Sequence, residues 1–340
     1  MTKFQPLSTS ASANFRWELL AWYDEHSRDL PWRQSHDPYR IWLSEIMLQQ
    51  TRVAAVIAHY HEFLRRFPTV EKLARARESS VLAAWSGLGY YRRARMLHAA
   101  AKVVVRELDG KFPSTREGLR ELPGIGRYTA AAIASIAFGE PVAVVDGNVE
   151  RVLQRFSGRR IAGEDFWLAA ESLLDRNRPG DFNQAMMELG ATVCTPRAPS
   201  CLTCPVLDLC ATRGEIAGAV KATPQKKREI HFALNFREGK VFLVQRPRDT
   251  SLMASMWELP ETTPLPPRAK PALTLRHSIT VTDYTVHVWR ERSHDGIQGK
   301  WITVRRLPEL AMTGLARKIL RKAGILTRTI RNRHASGPVG

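Results

Sequence analysis

Two carboxylic acids lie within or next to apolar segments of the sequence. Glu45 interrupts the apolar run YRIWLSEIML at residues 39–48, and Asp146 directly follows the apolar run PVAVV at 141–145. A glutamate on a buried helix is costly while charged, so burial should raise its pKa and favour the neutral acid. That protonation state suits a general acid near neutral pH. A Glu45 side chain that faces solvent or pairs with Arg52 is the structural alternative.

Asp146 is placed as the N-cap of a helix that should begin near Asn148 or Val149. Amide hydrogen bonds and the positive end of the helix dipole favour its ionised form. A simple capping role explains the aspartate equally well when it is taken alone. A neutral Glu45 and a charged Asp146 that met in space would suit cleavage of a glycosidic bond. The acid protonates the leaving group, and the anion stabilises an oxocarbenium-like sugar.

The cysteines carry a second chemical signal. All four, Cys194, Cys201, Cys204 and Cys210, fall in one short segment with the spacing C-x6-C-x2-C-x5-C. Four thiolates so close together can bind an iron–sulfur cluster or a zinc ion. The spacing lacks the two C-x2-C pairs of common zinc ribbons. We therefore expect a [4Fe–4S] cluster.

A glycine-containing loop lies between two helical segments at Leu122-Pro123-Gly124-Ile125-Gly126. Gly124 and Gly126 permit a tight turn and let the main chain approach a ligand closely. The free amides at the start of the next helix, over residues 129–137, favour an anion. This pattern predicts a helix–hairpin–helix that binds a DNA phosphate, with Leu122 as its flanking apolar residue.

Two further stretches have residue types suited to nucleic acid. Gln49, Gln50 and Thr51 follow the buried helix at a polar break, either on the surface or reaching into a groove. In GLGYYRRAR at 87–95, the glycines mark a turn that presents Tyr90 beside several arginines. Aromatic and guanidinium groups together suit stacking on bases and pairing with phosphates. A solvated basic helix start explains the second stretch equally well.

The net charge points to an anionic partner. Lysine and arginine number 51 against 33 acidic residues, giving +18. Such an excess indicates nucleic acid or an anionic membrane, although a merely soluble basic protein is also possible. No apolar run approaches the length of about 20 residues that spans a bilayer, and the N-terminus lacks an apolar signal core. We therefore expect an intracellular, cytoplasmic protein with no membrane partner.

The periodicity of the apolar residues changes once along the chain, from helical spacing to alternation. Helical periodicity marks residues 15–26, 39–65, two segments within 69–110, and 182–189. Alternating apolar residues then predict strands, beginning with a hairpin around Glu238-Gly239, and a closing helix over 311–323. The predicted organisation is a helical domain over 1–213 with the cysteine loop at 194–210, a linker over 214–229, an α+β domain over 230–326 and a basic tail over 327–340.

Several motifs together resemble those of the adenine DNA glycosylases of the MutY type. They are PYRIWLSEIMLQQT, GLGYYRRAR, ELPGIGRYTA, VVDGNVERV, FNQAMMELG and CTPRAPSCLTCP. The resemblance implies a mainly α helix–hairpin–helix glycosylase domain with a [4Fe–4S] loop, followed by a Nudix-like domain. It also implies a monomer that binds double-stranded DNA and removes adenine mispaired with 8-oxoguanine or guanine.

The resemblance also implies roles for individual residues. Glu45 would protonate the adenine ring, and Asp146 would stabilise the cationic sugar or trap it covalently. Tyr128 and Asn148 match positions that support these two carboxyl groups. The positions that match the adenine pocket are Arg28, Leu30, Trp32 and Glu188. Gln50 and Tyr90 match residues that wedge into the base stack, which offsets the cost of extruding the adenine.

The chain departs from related patterns at three places. Tyr128 stands where endonuclease III-like lyases carry a catalytic lysine, which predicts base removal without strand cleavage. No glutamate-rich Nudix box follows SLMASMWELP, so nucleotide hydrolysis is not expected. The family's Phe-Ser-His loop aligns with Ile279, Thr280 and Val281. Ile279 can still wedge and Thr280 can replace the serine hydroxyl, but Val281 cannot form the histidine's hydrogen bonds. Discrimination of 8-oxoguanine is then weaker or depends on other residues.

Two functions of other classes compete with a glycosylase. One is a DNA-binding module whose catalytic apparatus is inactive and whose cluster is only structural. The other is a nucleotide hydrolase with a helical appendage. The presence of both Glu45 and Asp146 argues against the first, and the missing Nudix box argues against the second.

Overall fold

The computed structural model describes residues 8–214, 226–250, 252–263, 269–279, 282–290 and 296–326. The chain forms two compact units. The first unit ends at Ala76 and resumes at Arg95, and the second combines Arg77–Ala94 with the C-terminal strands. The predicted helical domain over 1–213 therefore does not coincide with one unit, because residues 77–94 pack elsewhere.

Helices form the first unit and the segment 77–94. They are α1 (Thr9–His26), α2 (Pro38–Leu48), α3 (Val53–Arg66), α4 (Val70–Ala74), α5 (Glu78–Trp85), α6 (Tyr91–Glu107), α7 (Arg116–Arg120), α8 (Arg127–Phe138), α9 (Gly147–Ser157), α10 (Glu164–Leu173) and α11 (Pro179–Thr192). Single 3₁₀ turns at Pro31–Arg33, Cys201–Thr203 and Leu207–Leu209 complete the helical part.

The helix predicted over 39–65 is two helices. Helix α2 ends at Leu48 and α3 begins at Val53. Between them, Gln50 has a left-handed backbone with φ of 54°. An α-helix cannot continue through a left-handed residue, so the chain turns there. Helix α2 itself is buried on nearly every side, as its apolar sequence predicts.

One core of the helical unit lies where α1 meets α9, α10 and α11. The ring of Phe15 lies 4.7 Å from that of Phe156 and 6.2 Å from that of Phe182, centroid to centroid. Phe15, Leu19 and Leu173 have no exposed surface. Burial of these side chains stabilises the packing that fixes the N-terminal end of α9, where Asp146 lies.

The predicted helix–hairpin–helix loop joins α7 to α8. Leu122 and Ile125 are buried on the inner side of the turn. Gly124 has φ of +76°, and a Cβ there would lie 2.5 Å from the Cβ of Met96. Gly126 is the N-cap of α8 at φ −88°. The turn therefore requires glycine at 124 for both conformation and space.

Strands and one helix form most of the second unit. They are β1 (Lys226–Leu234), β2 (Phe236–Arg237), β3 (Lys240–Gln245), β4 (Trp257–Glu258), β5 (Leu273–Ile279), β6 (Thr282–Arg290), β7 (Lys300–Thr303) and α12 (Gly314–Lys322), with a 3₁₀ segment at Val304–Glu309. Strand β6 pairs with β1 in parallel and with β5 antiparallel, while β3 pairs with β2, β4 and β7.

The predicted hairpin is present but shorter than expected. Only β2 and β3 pair across Glu238-Gly239, because β1 pairs with β6 instead. Strand β1 begins at Lys226, so the last four residues of the predicted linker are strand. The rest of that linker after Gly214, and the predicted tail over 327–340, lie outside the described residues. Across the described ranges, no helix is long and apolar enough to cross a membrane.

We predict that Gly124→Ala lowers the free energy of unfolding by about 3 kcal/mol, because it adds left-handed strain and an overlap with Met96. Gly126→Ala is the matched control, since a Cβ there meets nothing within 4 Å. Urea unfolding of both variants measures the difference. Equal stabilities would show that the turn does not need glycine at 124.

Candidate active site

A cavity of about 590 Å³ opens in the helical unit, beside α2, α8, α9 and α11. The predicted site residues that line it are Arg28, Leu30, Trp32, Glu45, Gln50, Thr51, Tyr128, Asp146, Asn148 and Glu188. The structure thus brings into one cavity the two carboxyl groups that the sequence places far apart.

Glu45 points from α2 into this cavity and is only 6% exposed. The hydroxyl of Tyr128 donates to its Oε2 at 2.7 Å. Burial raises the pKa of Glu45 to about 7, and the charge of Asp146 adds to the rise while Tyr128 and Arg33 oppose it. Glu45 therefore holds a proton far more readily than an exposed glutamate, and the solvent-facing alternative is excluded.

Asp146 caps α9, which begins at Gly147. Its Oδ1 accepts hydrogen bonds from the backbone amides of Asn148 at 2.9 Å and Val149 at 2.8 Å. Its Oδ2 accepts one from the side-chain amide of Asn148 at 2.9 Å. The predicted cap is confirmed, and it faces the same cavity as Glu45.

Arg151 holds the side chain of Asn148 in place. Its Nη2 donates to Oδ1 of Asn148 at 2.9 Å and to the carbonyl of Gly190 at 2.6 Å. Its Nε donates to the carbonyl of Cys194 at 2.7 Å. Sequence reasoning missed this residue, although it lies in the quoted motif VVDGNVERV, one helical turn after Asn148.

A close approach of two helices supports this arrangement. A Cβ on Gly190 would lie 2.7 Å from the Cβ of Asn148. Helix α11 can therefore lie against the start of α9 only if residue 190 has no side chain.

Glu188 is buried at another wall of the cavity. Arg28 donates to its two oxygens at 2.6 and 2.8 Å, and Arg33 donates to Oε2 at 2.8 Å. Burial alone would raise the pKa of Glu188, but the hydrogen bonds from both arginines outweigh it and lower the pKa to about 2. Arg33 also lies over the ring of Tyr23 at 5.4 Å. Sequence reasoning missed Arg33, which belongs to the same PWR segment as Trp32.

Met187 and Gln49 are two further residues of the cavity. Met187 places its sulfur 3.4 Å from the Tyr128 hydroxyl, and Gln49 donates to the hydroxyl of Thr129 at 3.3 Å. Gln49 lies in the cavity, as one of its two predicted alternatives required. Met187 was missed, although it is the neighbour in sequence of the predicted Glu188.

The remaining predicted DNA contacts lie outside the cavity. Leu122, Gly124 and Gly126 form the turn before α8. Tyr90 belongs to the second unit, where Ile279 ends β5. Thr280 lies outside the described residues.

The four cysteines are free thiols rather than disulfides. The Arg155 guanidinium contacts Sγ of Cys194 at 3.4 Å, and Sγ of Cys210 contacts the Arg155 carbonyl at 3.6 Å. Burial raises the pKa of Cys204 to about 11, and the other three thiols add to the rise. The thiols are thus neighbours. Within the described part of the chain, no three His, Cys, Asp or Glu side chains are grouped as a single metal ion requires.

Comparison with known proteins places the helical unit in a family. The model of the HhH-GPD superfamily base excision DNA repair protein matches residues 43–162. The solved structure of a thermostable thymine-DNA glycosylase is 31% identical with a TM-score of 0.57. The match covers 98% of that chain and 61% of this one. The chain belongs to the HhH-GPD superfamily. A DNA-bound endonuclease III structure, 22% identical with a TM-score of 0.53, has the same fold.

Within the superfamily, adenine DNA glycosylases are similar to this chain, which confirms the resemblance seen in the motifs. The Homo sapiens enzyme is 40% identical over 314 residues, covering 73% of this chain and 57% of that protein. The Mycobacterium tuberculosis enzyme is 46% identical over 202 residues, covering 57% of this chain and 66% of that protein. The chain spans about half the length of several of these relatives.

We predict that Glu45→Gln stabilises the protein increasingly as pH rises from 4 to 8. The folded-state pKa is about 7, against an ordinary 4.5. Between these values the unfolded state loses its proton first, so native Glu45 costs stability as pH rises, reaching about 3 kcal/mol above the higher pKa. Thermal unfolding at several pH values measures the gain.

Glu62→Gln is the control for this measurement. Hydrogen bonds from Arg65 and Arg66 lower the pKa of Glu62 to about 2. Its substitution should therefore give no gain at pH 8. A Glu45→Gln gain that did not change with pH would contradict the raised pKa.

Proposed function

We propose that this protein is an adenine DNA glycosylase that hydrolyses the bond between adenine and deoxyribose where adenine is mispaired with 8-oxoguanine or guanine. The names of the relatives support the activity. The observation that carries the proposal is the hydrogen bond from Tyr128 to the buried Glu45, in the same cavity as the capped Asp146. A residue that only caps a helix or only packs in a core does not require a second carboxyl group in the same cavity.

Glu45 acts as the general acid. With a pKa of about 7, a substantial fraction carries a proton at neutral pH. Donation of that proton to the adenine ring converts the base into a neutral leaving group. The Tyr128 hydroxyl fixes one carboxyl oxygen, so the proton is presented from the other.

Asp146 stabilises the sugar as the bond breaks. Its cap hydrogen bonds fix both carboxylate oxygens, while Oδ2 accepts only the Asn148 side chain and keeps capacity toward the cavity. A fixed negative charge beside the forming oxocarbenium ion lowers its free energy, or traps it covalently before water attacks.

Adenine enters the cavity by extrusion from the duplex. Glu188 stays charged between Arg28 and Arg33, which makes it a hydrogen-bond acceptor for an exocyclic amine. Among the described residues that line the cavity there is no lysine. Without an amine to form a Schiff base, the reaction stops at base removal.

The helix–hairpin–helix turn and the basic surface bind the duplex. Free amides at the start of α8 bind a phosphate without reading sequence. Gln50 and Tyr90, both with left-handed backbones, are the wedge residues. The second unit is Nudix-like and reads the purine opposite the adenine, with Ile279 and Thr280 in place of an aromatic residue and a serine.

The cysteine loop holds a [4Fe–4S] cluster through Cys194, Cys201, Cys204 and Cys210. Four free thiols lie within residues 194–210, and three of them raise the pKa of Cys204, so the loop supplies the four cysteine ligands that such a cluster takes. When bound, the cluster cross-links residues 194–210 and orders that loop.

We predict that a duplex with one adenine–8-oxoguanine pair is cleaved at the adenine only after alkali, because base removal leaves an intact abasic strand. Denaturing electrophoresis with and without alkali measures both steps. A duplex with adenine opposite thymine is the control. Absence of any product from iron-replete protein would overturn the proposal.

We predict that Asp146→Asn lowers the single-turnover rate by at least about 100-fold, because the fixed charge beside the cationic sugar is lost. The asparagine oxygen can still accept the two amides of α9, but its amino group cannot accept from the Asn148 side chain, so the free energy of unfolding should fall by about 1 kcal/mol while duplex affinity changes little. Rapid-quench kinetics, thermal unfolding and a binding titration separate these effects. A large loss of affinity or stability with little loss of rate would make Asp146 only a cap.

A further inference from the structure

The proposed wedge residue Tyr90 belongs to the unit that contains the C-terminal strands. Its turn connects the end of α5 to the start of α6, within residues 77–94. Nothing in the sequence of this segment indicates a link to residues more than 200 positions later.

Two buried hydroxyl groups make that link. The Oγ of Ser86 donates to the carbonyl of Met312 at 2.7 Å, and the hydroxyl of Tyr91 donates to the same carbonyl at 3.0 Å. Ser86, Tyr91 and Met312 are 7%, 4% and 0% exposed. Ser86 and Tyr91 stand on either side of the Tyr90 turn, so both ends of the turn are fixed to one atom.

Met312 is in turn bound to the sheet. It forms a parallel bridge with Trp257 of β4. The Trp257 amide donates to the Ala311 carbonyl at 2.8 Å, and the Thr313 amide donates to the Trp257 carbonyl at 2.9 Å. The anchor of the turn is therefore continuous with β4.

The turn itself is held in one shape. The indole of Trp85 donates to the Gly89 carbonyl at 3.1 Å, and Arg93 lies over the rings of both Trp85 and Tyr90. Tyr90 has φ of 46° and is 47% exposed. An aromatic ring presented to solvent on a fixed turn is suited to insertion between bases.

We infer that Ser86 and Tyr91 are positioning residues that fix the Tyr90 wedge to the C-terminal unit through the Met312 carbonyl. This inference rests on the proposed function. The unit that reads the purine opposite adenine then also carries the wedge beside it. Recognition of 8-oxoguanine and entry of Tyr90 into the base stack are coupled, because one rigid element delivers both.

Three variants test the coupling. Tyr91→Phe removes one donor and leaves Ser86 on the Met312 carbonyl, so it keeps the fold. Ser86→Ala with Tyr91→Phe removes both donors and leaves a buried carbonyl without these partners. Tyr39→Phe is the matched control, since the buried Tyr39 hydroxyl donates to the Phe67 carbonyl at 2.7 Å in the other unit.

Two measurements report the wedge, using duplexes with 2-aminopurine next to 8-oxoguanine or next to guanine. Fluorescence on binding reports unstacking, and single-turnover kinetics reports the rate ratio between the two mispairs. The double variant should lose most of the fluorescence rise and reduce the ratio about tenfold, since both hydrogen bonds to the Met312 carbonyl are lost. Tyr91→Phe should show a smaller change, and Tyr39→Phe none.

The outcomes distinguish a failure of the proposed function from a failure of the proposed anchoring of Tyr90. Wild-type protein that removes no adenine overturns the proposed function. Active wild type together with an unchanged double variant overturns the anchoring, as does an equal loss in Tyr39→Phe. Hydrogen exchange of residues 86–93 gives a readout without DNA. Faster exchange in the double variant alone supports the anchor, and unchanged exchange overturns it.

Discussion

The removal of the Glu45 carboxyl group from water is the constraint on which the site depends. A buried carboxylate is unfavourable, and the protein tolerates it because the surrounding α2 side chains, including Trp42, Leu43 and Met47, are fully buried with it. The Tyr128 hydrogen bond moderates the cost without removing it. The same packing that stabilises α2 therefore creates an acid whose proton is available near neutral pH.

Asp146 lies in a different environment from Glu45 within the same cavity. Its carboxylate oxygens accept hydrogen bonds from N–H donors at the start of α9. The donors are themselves held, since Arg151 links the Asn148 side chain to the carbonyls of Gly190 and Cys194. The orientation of the Asp146 side chain thus depends on α11 and on the backbone of Cys194. The two carboxyl groups thus lie in unlike environments within one cavity, Glu45 desolvated by burial and Asp146 hydrogen-bonded at a helix start.

Local signals in the sequence predicted most of the cavity. The apolar surroundings of Glu45 and the capping position of Asp146 are consequences of helix patterning, which short-range order determines. Arg33 and Arg151 escaped prediction because their partners, Glu188 and the carbonyl of Gly190, are far away in sequence. The polar residues after Leu48 indicated a break between α2 and α3, but the geometry of that break was not predictable. It depends on the left-handed backbone of Gln50, and glutamine carries no signal for that conformation.

The pairing of the strands could not be predicted from local sequence patterns either. Alternation identified β1 and β3 as strands, but the parallel pairing of β1 with β6 depends on contacts that no local pattern specifies. The position of residues 77–94 is a further case. Their sequence reads as ordinary helices, yet the buried hydroxyls of Ser86 and Tyr91 need an acceptor, and Met312 supplies it. A boundary drawn at the linker would separate these partners. Residues 77–94 therefore belong to the compact unit of the C-terminal strands, where their buried hydroxyl groups have an acceptor, although they lie far away in sequence.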